Sequence, residues 1–502
     1  MSLVKQNISA NLFGNGWQTL MALVFVPLYI KFMGVESYGL VGIFTMLLVM
    51  TGLLDMGLSG TLNREMARLS VLPGKEQEMR NLVRSLEMIY WCMALFIGII
   101  IIGISPYIAN HWVNPGTLPV LTIERALMIM GFAVALQWPY YLYHGGLVGL
   151  QQQVILNAIN MGMSTLRGAG AVLVLWLIAP SIQIFFLWQI MVSITHTFLV
   201  MIFFWRKLPK SGGRPVFQKQ LLYGIWRFAA GIGGTTILGI ILTQMDKIIL
   251  SKMLSLEMFG YYALASLIAM SPLRLSLPVF SSIYPRFSQL VSLNEQESLR
   301  QLYHKGCQFM AVLILPASIV VALYSYEFIL LWTQNPITAE NSHLLVSILI
   351  CGTALNTLMD LPHALQWSYG WTRLSFFRNL VAVGLLVPLI IYLATIYGAV
   401  GAASVWLILN VGYVLLEVPL MHRRLLIEEK WRWYWQDVLI PLVAALAIAA
   451  SGKLFINSSM AQFTLLIYLL IISALTLGVT AIVTPVTRVW LLGQFIKIKS
   501  VC

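Results

Sequence analysis

Lys31-Phe-Met-Gly-Val-Glu-Ser-Tyr-Gly39 returns 221 residues later as Lys252-Met-Leu-Ser-Leu-Glu-Met-Phe-Gly260, so that Lys31, Glu36, Tyr38 and Gly39 fall on Lys252, Glu257, Phe259 and Gly260. The same offset carries Asn114-Pro115 onto Asn335-Pro336, each with a tryptophan close before it, and Gly149 onto Gly370. Agreement at three separated places points to a duplicated unit. Each copy encloses six apolar stretches, an even number, so the copies share one orientation and their axis is expected along a membrane normal.

Composition sets the setting. Of 502 residues, 59% are hydrophobic and 10% charged, against about 25% charged in a soluble domain. Too few charges are present to coat a water-facing surface, and disorder, collagen, coiled coil and a disulfide scaffold are excluded as well. The net charge of +13 would suggest nucleic acid in a soluble protein. In a membrane protein it reflects basic cytoplasmic loops, and no nucleic-acid partner is expected. Cys92, Cys307, Cys351 and Cys502 show no spacing for a metal site or disulfide framework, so no metal or cofactor is expected. The first apolar segment, Asn11 to Met33, has no small-residue cleavage site and reads as a retained helix.

A spanning helix needs about 20 mainly apolar residues. Fourteen stretches qualify, at about 11–33, 38–62, 85–110, 125–149, 154–178, 183–205, 222–248, 259–283, 306–331, 343–369, 375–397, 400–421, 437–456 and 464–484. The expected architecture is an all-α polytopic membrane protein with two six-helix bundles related by a parallel repeat and two extra C-terminal helices. The division is 1–205 for the first bundle, 206–221 for a cytoplasmic linker, 222–421 for the second bundle, and 422–502 for an interfacial segment, the last two helices and a tail. Twenty-three of the 31 basic residues, among them Lys5, Arg373, Arg378, Lys497 and Lys499, fall in the tails and even-numbered loops, against five on the other side. That bias places both termini in the cytoplasm. The largest outer loop runs from about His111 to Glu124, so no extramembrane domain exists to host enzyme chemistry. Trp431-Arg-Trp-Tyr-Trp435 reads as a headgroup-level anchor for the thirteenth span.

Asn11 through Trp17, Val26-Pro-Leu-Tyr-Ile30, Gly34-Val-Glu-Ser-Tyr-Gly39, Leu54-Asp-Met-Gly-Leu-Ser59 and Asn63-Arg-Glu-Met-Ala-Arg68 resemble the polysaccharide transport family. Gly149-Leu-Gln151 followed by Asn157 resembles that family's turn between the fourth and fifth helices. The resemblance implies the multidrug/oligosaccharidyl-lipid/polysaccharide exporter fold, shared by O-antigen-type flippases, lipid II flippases and multidrug extruders. It implies a bacterial inner-membrane location, a lipid-linked oligosaccharide cargo and the polysaccharide polymerase machinery as a candidate partner. It assigns no binding residue.

Ionised side chains near the bilayer centre cost about 2.5–3.5 kcal/mol on insertion scales and face protein or water. Arg167 and Arg274 sit near the middles of the fifth and eighth spans, and Arg227 about one turn inside the seventh. All three are candidates to hold an anionic headgroup, because the planar guanidinium binds phosphate through two parallel bonds and stays charged. The bland alternatives are an internal ion pair and, for Arg227, snorkelling. Asp55, Asp360, Glu417 and His196 are candidates for coupling to H+ or Na+, or for internal pairing; for Asp55 the favoured reading is a helix-end hydrogen bond. Pro272 and Pro278 flank Arg274, so the eighth helix is expected to bend there. Gly168-Ala-Gly170 and Gly231-Ile-Gly-Gly234 read as close helix packing rather than nucleotide loops.

The expected function is a flippase moving a polyprenyl-diphosphate-linked oligosaccharide to the outer leaflet by alternating access, for cell-surface polysaccharide synthesis. Two negative charges leaving a negative interior gain roughly 4.6 kcal/mol at 100 mV, so a coupling ion is permitted and not required. A multidrug or lipid II exporter of the same superfamily is the runner-up. A membrane glycosyltransferase or polymerase is disfavoured by the short loops.

Overall fold

The computed structural model describes residues 3–456 and 460–489, and their side chains except at 3–5, 8, 224, 226–236, 372 and 373. Among the described residues every regular element is helical, apart from one isolated bridge between Asn114 and Ser255. The chain forms two compact units, Met1–Gly260 and Tyr261–Cys502.

In the first unit α1 (Leu3–Val24) meets α2 (Val26–Asp55) at Phe25, with Pro27 in the first turn of α2, where no amide partner is needed. Gly34 then breaks α2 with φ 80° and ψ 164°, a backbone region open only to glycine, which turns one apolar run into two arms. Met56 and Gly57 are both left-handed and mark the end of α2, and α3 (Leu58–Leu69) continues the arm. α4 (Glu76–Tyr107) extends into a π-helical turn at Ile108–Trp112. α5 (Val120–Gln137) and α6 (Tyr140–Gly149) are two halves of one span broken before Pro139. α7 (Gln153–Leu177), α8 (Ile182–Lys207) and α9 (Lys219–Met253) follow.

α10 (Leu256–Ala269) begins in the first unit and leads to α11 (Ser271–Ser292), with the break at Met270 and Pro272 in the next turn. The bend expected beside Arg274 is present. Then come α12 (Gln296–Leu323), α13 (Ser325–Thr333), α14 (Pro336–Leu358) and α15 (Asp360–Ser368). α16 (Thr372–Gly412) turns at Gly398 (φ 59°, ψ −138°) and passes through a π segment, Tyr413–Glu417, into α17 (Val418–His422). α18 (Lys430–Arg432), a π segment at Trp433–Leu439, α19 (Ile440–Lys453) and α20 (Gln462–Val483) complete the unit.

The repeat is visible in where helices break. Trp138, between α5 and α6, and Met359, between α14 and α15, are 221 residues apart; so are Trp112 and Thr333, where the preceding spans end. Among the described residues, eleven helices are long and apolar enough to cross a membrane. One of them, Leu374–His422, holds two arms around Gly398, the first span is too polar to be among them, and the seventh lies partly outside the described residues, so the eleven are consistent with fourteen. α1 falls short because it carries Gln6, Asn7, Asn11, Asn15 and Gln18. These polar groups are used for packing: Asn157 donates to Asn11 (2.6 Å), and Trp17 to Thr165 (2.9 Å), tying α1 to α7.

The compact units divide at Gly260, so that the first includes residues 206–221 and α9. The reason is local. The amides of Val216 and Gln218 donate to the buried Asn81 and Ser85 of α4 (3.0 and 2.8 Å), and Gln77 donates to the Arg214 carbonyl (3.0 Å). The linker is thereby fastened to the first bundle, and α9 packs along α2, α3 and α4.

Close approach replaces the hydrophobic effect as the glue, because lipid is as apolar as leucine. Gly145 and Gly149, one turn apart on α6, lie against the carbonyls of Ser59 and Asn63 on α3, with no room for a side chain. Gly168 and Gly170 are likewise filled by Phe25 and Trp188, so this glycine pair packs helices as expected. In the second unit Ala445 and Ala449 let α19 approach α12, and Leu315, Ile319, Leu465, Leu469 and Ile472 fill the contact. Tyr324 donates to the Ala449 carbonyl (2.8 Å), and Lys453 pairs with Glu327 (2.6 Å).

Candidate functional site

Arg167 lies near the middle of α7 and meets the end of α5. The α5–α6 break exposes the last residue of α5, Gln137, to α7 and α8. Arg167 Nη2 donates to Gln137 Oε1 (2.8 Å). Gln137 Nε2 approaches His196 Nδ1 (3.4 Å), and His196 Nε2 approaches Asn160 Oδ1 (3.0 Å). The Tyr140 hydroxyl donates to the same Asn160 oxygen (3.0 Å), and its ring lies 4.4 Å from that of His196. Gln137 and Asn160 are buried, whereas Arg167, Tyr140, Tyr141, His144 and His196 are each half-buried. Among the described residues no carboxylate lies within ion-pair distance of Arg167. A guanidinium braced by a neutral amide keeps its charge uncompensated and its other N–H groups available to an anion.

The structure therefore brings Arg167 and His196 together. Arg274 stands on an exposed face of α11, one turn beyond the Met270 break. Asp360 opens α15 and is hydrogen-bonded by Ser276 of α11. Glu417 is bonded to Arg378 (2.7 Å), Gln366 (2.9 Å) and His363 (3.3 Å). Asp55 accepts from the Ser59 hydroxyl (2.8 Å) and from Tyr90, a helix-end arrangement across the Met56–Gly57 break. The Arg227, Lys5 and Arg373 side chains, the segment Gly231–Gly234 as a packing motif, and Lys497, Lys499 and Cys502 lie outside the described residues.

Sequence reasoning missed four groups. Gln137, Asn160 and Tyr140 are neutral, and nothing in a single chain marks a neutral residue as the partner of a distant arginine. Arg378, counted as a loop cation, reaches into the bundle. Glu87 is buried and accepts from Tyr143 (2.7 Å), Trp205 (3.1 Å) and Arg84 (2.7 Å). The fourth ties α12 to the start of the thirteenth span: His304 Nδ1 faces Asp437 (2.5 Å), and its Nε2 faces Glu429 (3.0 Å). Gln308 donates to Asp437 (2.9 Å), and Arg300 pairs with Glu429 (2.9 Å). Two of the three π segments carry buried carboxylates, Glu417 and Asp437; the extra residue per turn re-aims a side chain that a regular helix would direct elsewhere.

A family model described as polysaccharide biosynthesis protein matches residues 4–291, more than half of the chain. The chain belongs to that family. The resemblance carried by the opening motifs therefore holds, and with it the exporter superfamily. A Shigella flexneri protein named "Putative O-antigen transporter" is 21% identical over 414 residues, covering 81% of this chain and 94% of that one. The amylovoran biosynthesis protein AmsL of Erwinia amylovora is 28% identical over 214 residues, 41% of this chain and 47% of that one. Among solved structures, the lipid II flippase MurJ in an inward closed conformation superposes with a TM-score of 0.70 at 13% identity, covering 94% of this chain and 97% of that one. An inward-facing multidrug resistance MATE family transporter gives 0.62 at 13% identity, covering 81% and 96%. These likenesses establish an all-α polytopic fold of the exporter superfamily.

Proposed function

We propose that this protein is a flippase that moves a polyprenyl-diphosphate-linked oligosaccharide from the cytoplasmic to the outer leaflet of the bacterial inner membrane by alternating access, with both termini in the cytoplasm. The observation that carries the reading is Arg167: a half-buried guanidinium deep in a span, braced by Gln137 and with no acid in ion-pair range among the described residues. Such a charge is expensive in a bilayer unless water or an anion meets it. The diphosphate of a lipid-linked sugar supplies that anion, and the amide, imidazole and tyrosine groups around it suit a sugar. The names of the relatives, an O-antigen transporter and an amylovoran biosynthesis protein, support a surface-polysaccharide cargo.

The acids argue against a cationic drug as cargo. Glu417 is engaged by Arg378 and Asp55 by Tyr90 and Ser59, which leaves neither as an open counter-charge. Reconstitution in liposomes with a fluorescent polyprenyl-diphosphate oligosaccharide tests the reading. Transfer of the label between leaflets, dependent on the protein and accelerated by an inside-negative voltage, is the expected result. Transport of a cationic dye with no transfer of the lipid-linked sugar would overturn it.

A further inference from the structure

We propose that His196 takes up a proton when an anionic headgroup settles on Arg167; this rests on the headgroup reading above and names its coupled ion.

The network around Arg167 has one direction. A guanidinium only donates, so Gln137 must turn its oxygen toward Arg167 (2.8 Å) and its NH2 toward His196 Nδ1 (3.4 Å). Nδ1 is then a lone pair, and the ring proton is on Nε2, where it donates to Asn160 Oδ1 (3.0 Å). Turning Asn160 over would make Nε2 the acceptor and put the ring proton on Nδ1, against the Gln137 NH2, so the chain cannot be reversed without losing the Gln137–His196 bond. The ring is neutral in this arrangement. The titratable groups around it are Arg167 on α7 and Tyr140 and His144 on α6, with the Tyr140 and His144 rings 5.5 Å apart. All but Tyr140 are cationic or become so, and among the described residues the hydrogen-bond partners of His196 are the amides of Gln137 and Asn160, neither a carboxylate.

A proton arriving from water at Nδ1 would meet the amide NH2, donor against donor. Gln137 must then turn over, offer its oxygen to the imidazolium and release Arg167. With the site empty this sets two cations across one amide, and the neutral ring is favoured. An anion on Arg167 changes both terms. A phosphate oxygen replaces the amide oxygen as acceptor for the guanidinium, and the anion's charge compensates the new imidazolium. Linkage requires the effect to be mutual: whatever factor the anion contributes to proton binding, the proton contributes to anion binding. Two unit charges separated by one side chain in a partly desolvated site interact strongly enough for about a tenfold change.

The test uses the full chain in lipid nanodiscs, with farnesyl diphosphate as the probe. Equilibrium binding is measured at pH 6 and pH 8, and proton uptake on binding is followed with an indicator dye in weak buffer. His196→Gln controls for protonation of the probe itself, and His196→Asn serves as the second variant if the first misfolds. The wild type should take up about one proton more per bound diphosphate than either variant. Its affinity relative to the variant should rise about tenfold from pH 8 to pH 6. Equal proton uptake in wild type and variant, together with weakened binding in Arg167→Gln, would overturn this inference and leave the headgroup reading standing. Unweakened binding in Arg167→Gln would overturn both.

Discussion

Gly39 and Gly260, equivalent under the 221-residue repeat, pack against each other: a Cβ on Gly260 would lie 3.2 Å from the Gly39 amide nitrogen. The surrounding contacts are reciprocal. Gly39 abuts the carbonyl of Leu256, and Gly260 abuts the carbonyl of Val35, and Val35 and Leu256 are themselves repeat partners. A local two-fold relation between the starts of two spans, α2 beyond Gly34 and α10, follows directly from the duplicated motif. Because backbone lies in the way, alanine at either position forces the helices apart, at about 1–3 kcal/mol. Gly39→Ala and Gly260→Ala should each lower the thermal midpoint in detergent, and the pair should be less than additive, since one separation relieves both. Two unchanged midpoints would remove the two-fold contact from the account.

The turn beside this contact is held by Glu36. Its carboxylate accepts the amides of Gly116 (2.7 Å), Thr117 (2.9 Å) and Leu118 (3.2 Å), and the Thr117 hydroxyl (2.5 Å). On the other side of the same loop Asn114 donates to the Lys252 carbonyl (2.7 Å) and accepts from the Leu256 amide (2.8 Å), and Trp112 donates to Ser251 (3.0 Å). One loop therefore clips both repeat copies of the Lys-to-Gly motif. Glu36→Gln should loosen it by about 1 kcal/mol, discounted for partial exposure. Amide exchange at residues 116–118 should accelerate several-fold, with little change in the α5 core. Equal exchange rates in both proteins would refute the clip.

Glu417 offers a choice between ion pairing and cation coupling. With Arg378 at 2.7 Å and the Tyr413 ring under the same guanidinium, pairing is the expectation. Glu417→Gln leaves a half-buried arginine unpaired and should destabilise by about 3 kcal/mol, and Arg378→Gln likewise leaves the acid. The double substitution should recover most of the loss and retain transport. A double variant that is stable and inactive would instead point to a coupling role for Glu417.

The His304 cluster fixes the two helices outside the repeat. Asp437 is fully buried between His304 and Gln308, so Asp437→Asn or His304→Ala leaves buried polar groups without their partners and should lower stability by about 1–3 kcal/mol. Replacing both by leucine should restore much of it, because a well-packed apolar pair can equal a buried ion pair. Thermal unfolding followed by tryptophan fluorescence would report the difference. Near-additive losses in the double variant would show that the two side chains do not act as a pair.

Much of this was readable in advance because it depends on near-neighbour chemistry. The membrane class follows from charge content, the repeat from the Lys31–Gly39 motif, and the bend beside Arg274 from Pro272. Asp55 as a helix-end acceptor follows from the Gly57 break. Long-range polar pairing was not readable. Arg167 was legible as a buried charge, but its brace, Gln137, is 30 positions away and neutral. Arg378 looked like a loop cation because it sits in the first turns of α16, and its long side chain reaches Glu417 39 residues later. His304 and Asp437 lie at span ends, where a hydropathy reading treats charge as interfacial. The fastening of the linker to the first bundle was not readable, because the hydrogen bonds that its amides donate to Asn81 and Ser85 are invisible to composition.

The most direct measurement is the initial rate of leaflet-to-leaflet transfer of a fluorescent polyprenyl-diphosphate oligosaccharide in proteoliposomes containing equal amounts of wild type, Arg167→Gln and Arg167→Lys. Loss of one charge-assisted phosphate contact, about 1.5–3 kcal/mol, predicts a fall of at least tenfold for Arg167→Gln, with Arg167→Lys in between because a point charge survives without the fork. Wild-type rates in Arg167→Gln, with the protein correctly inserted, would contradict the account.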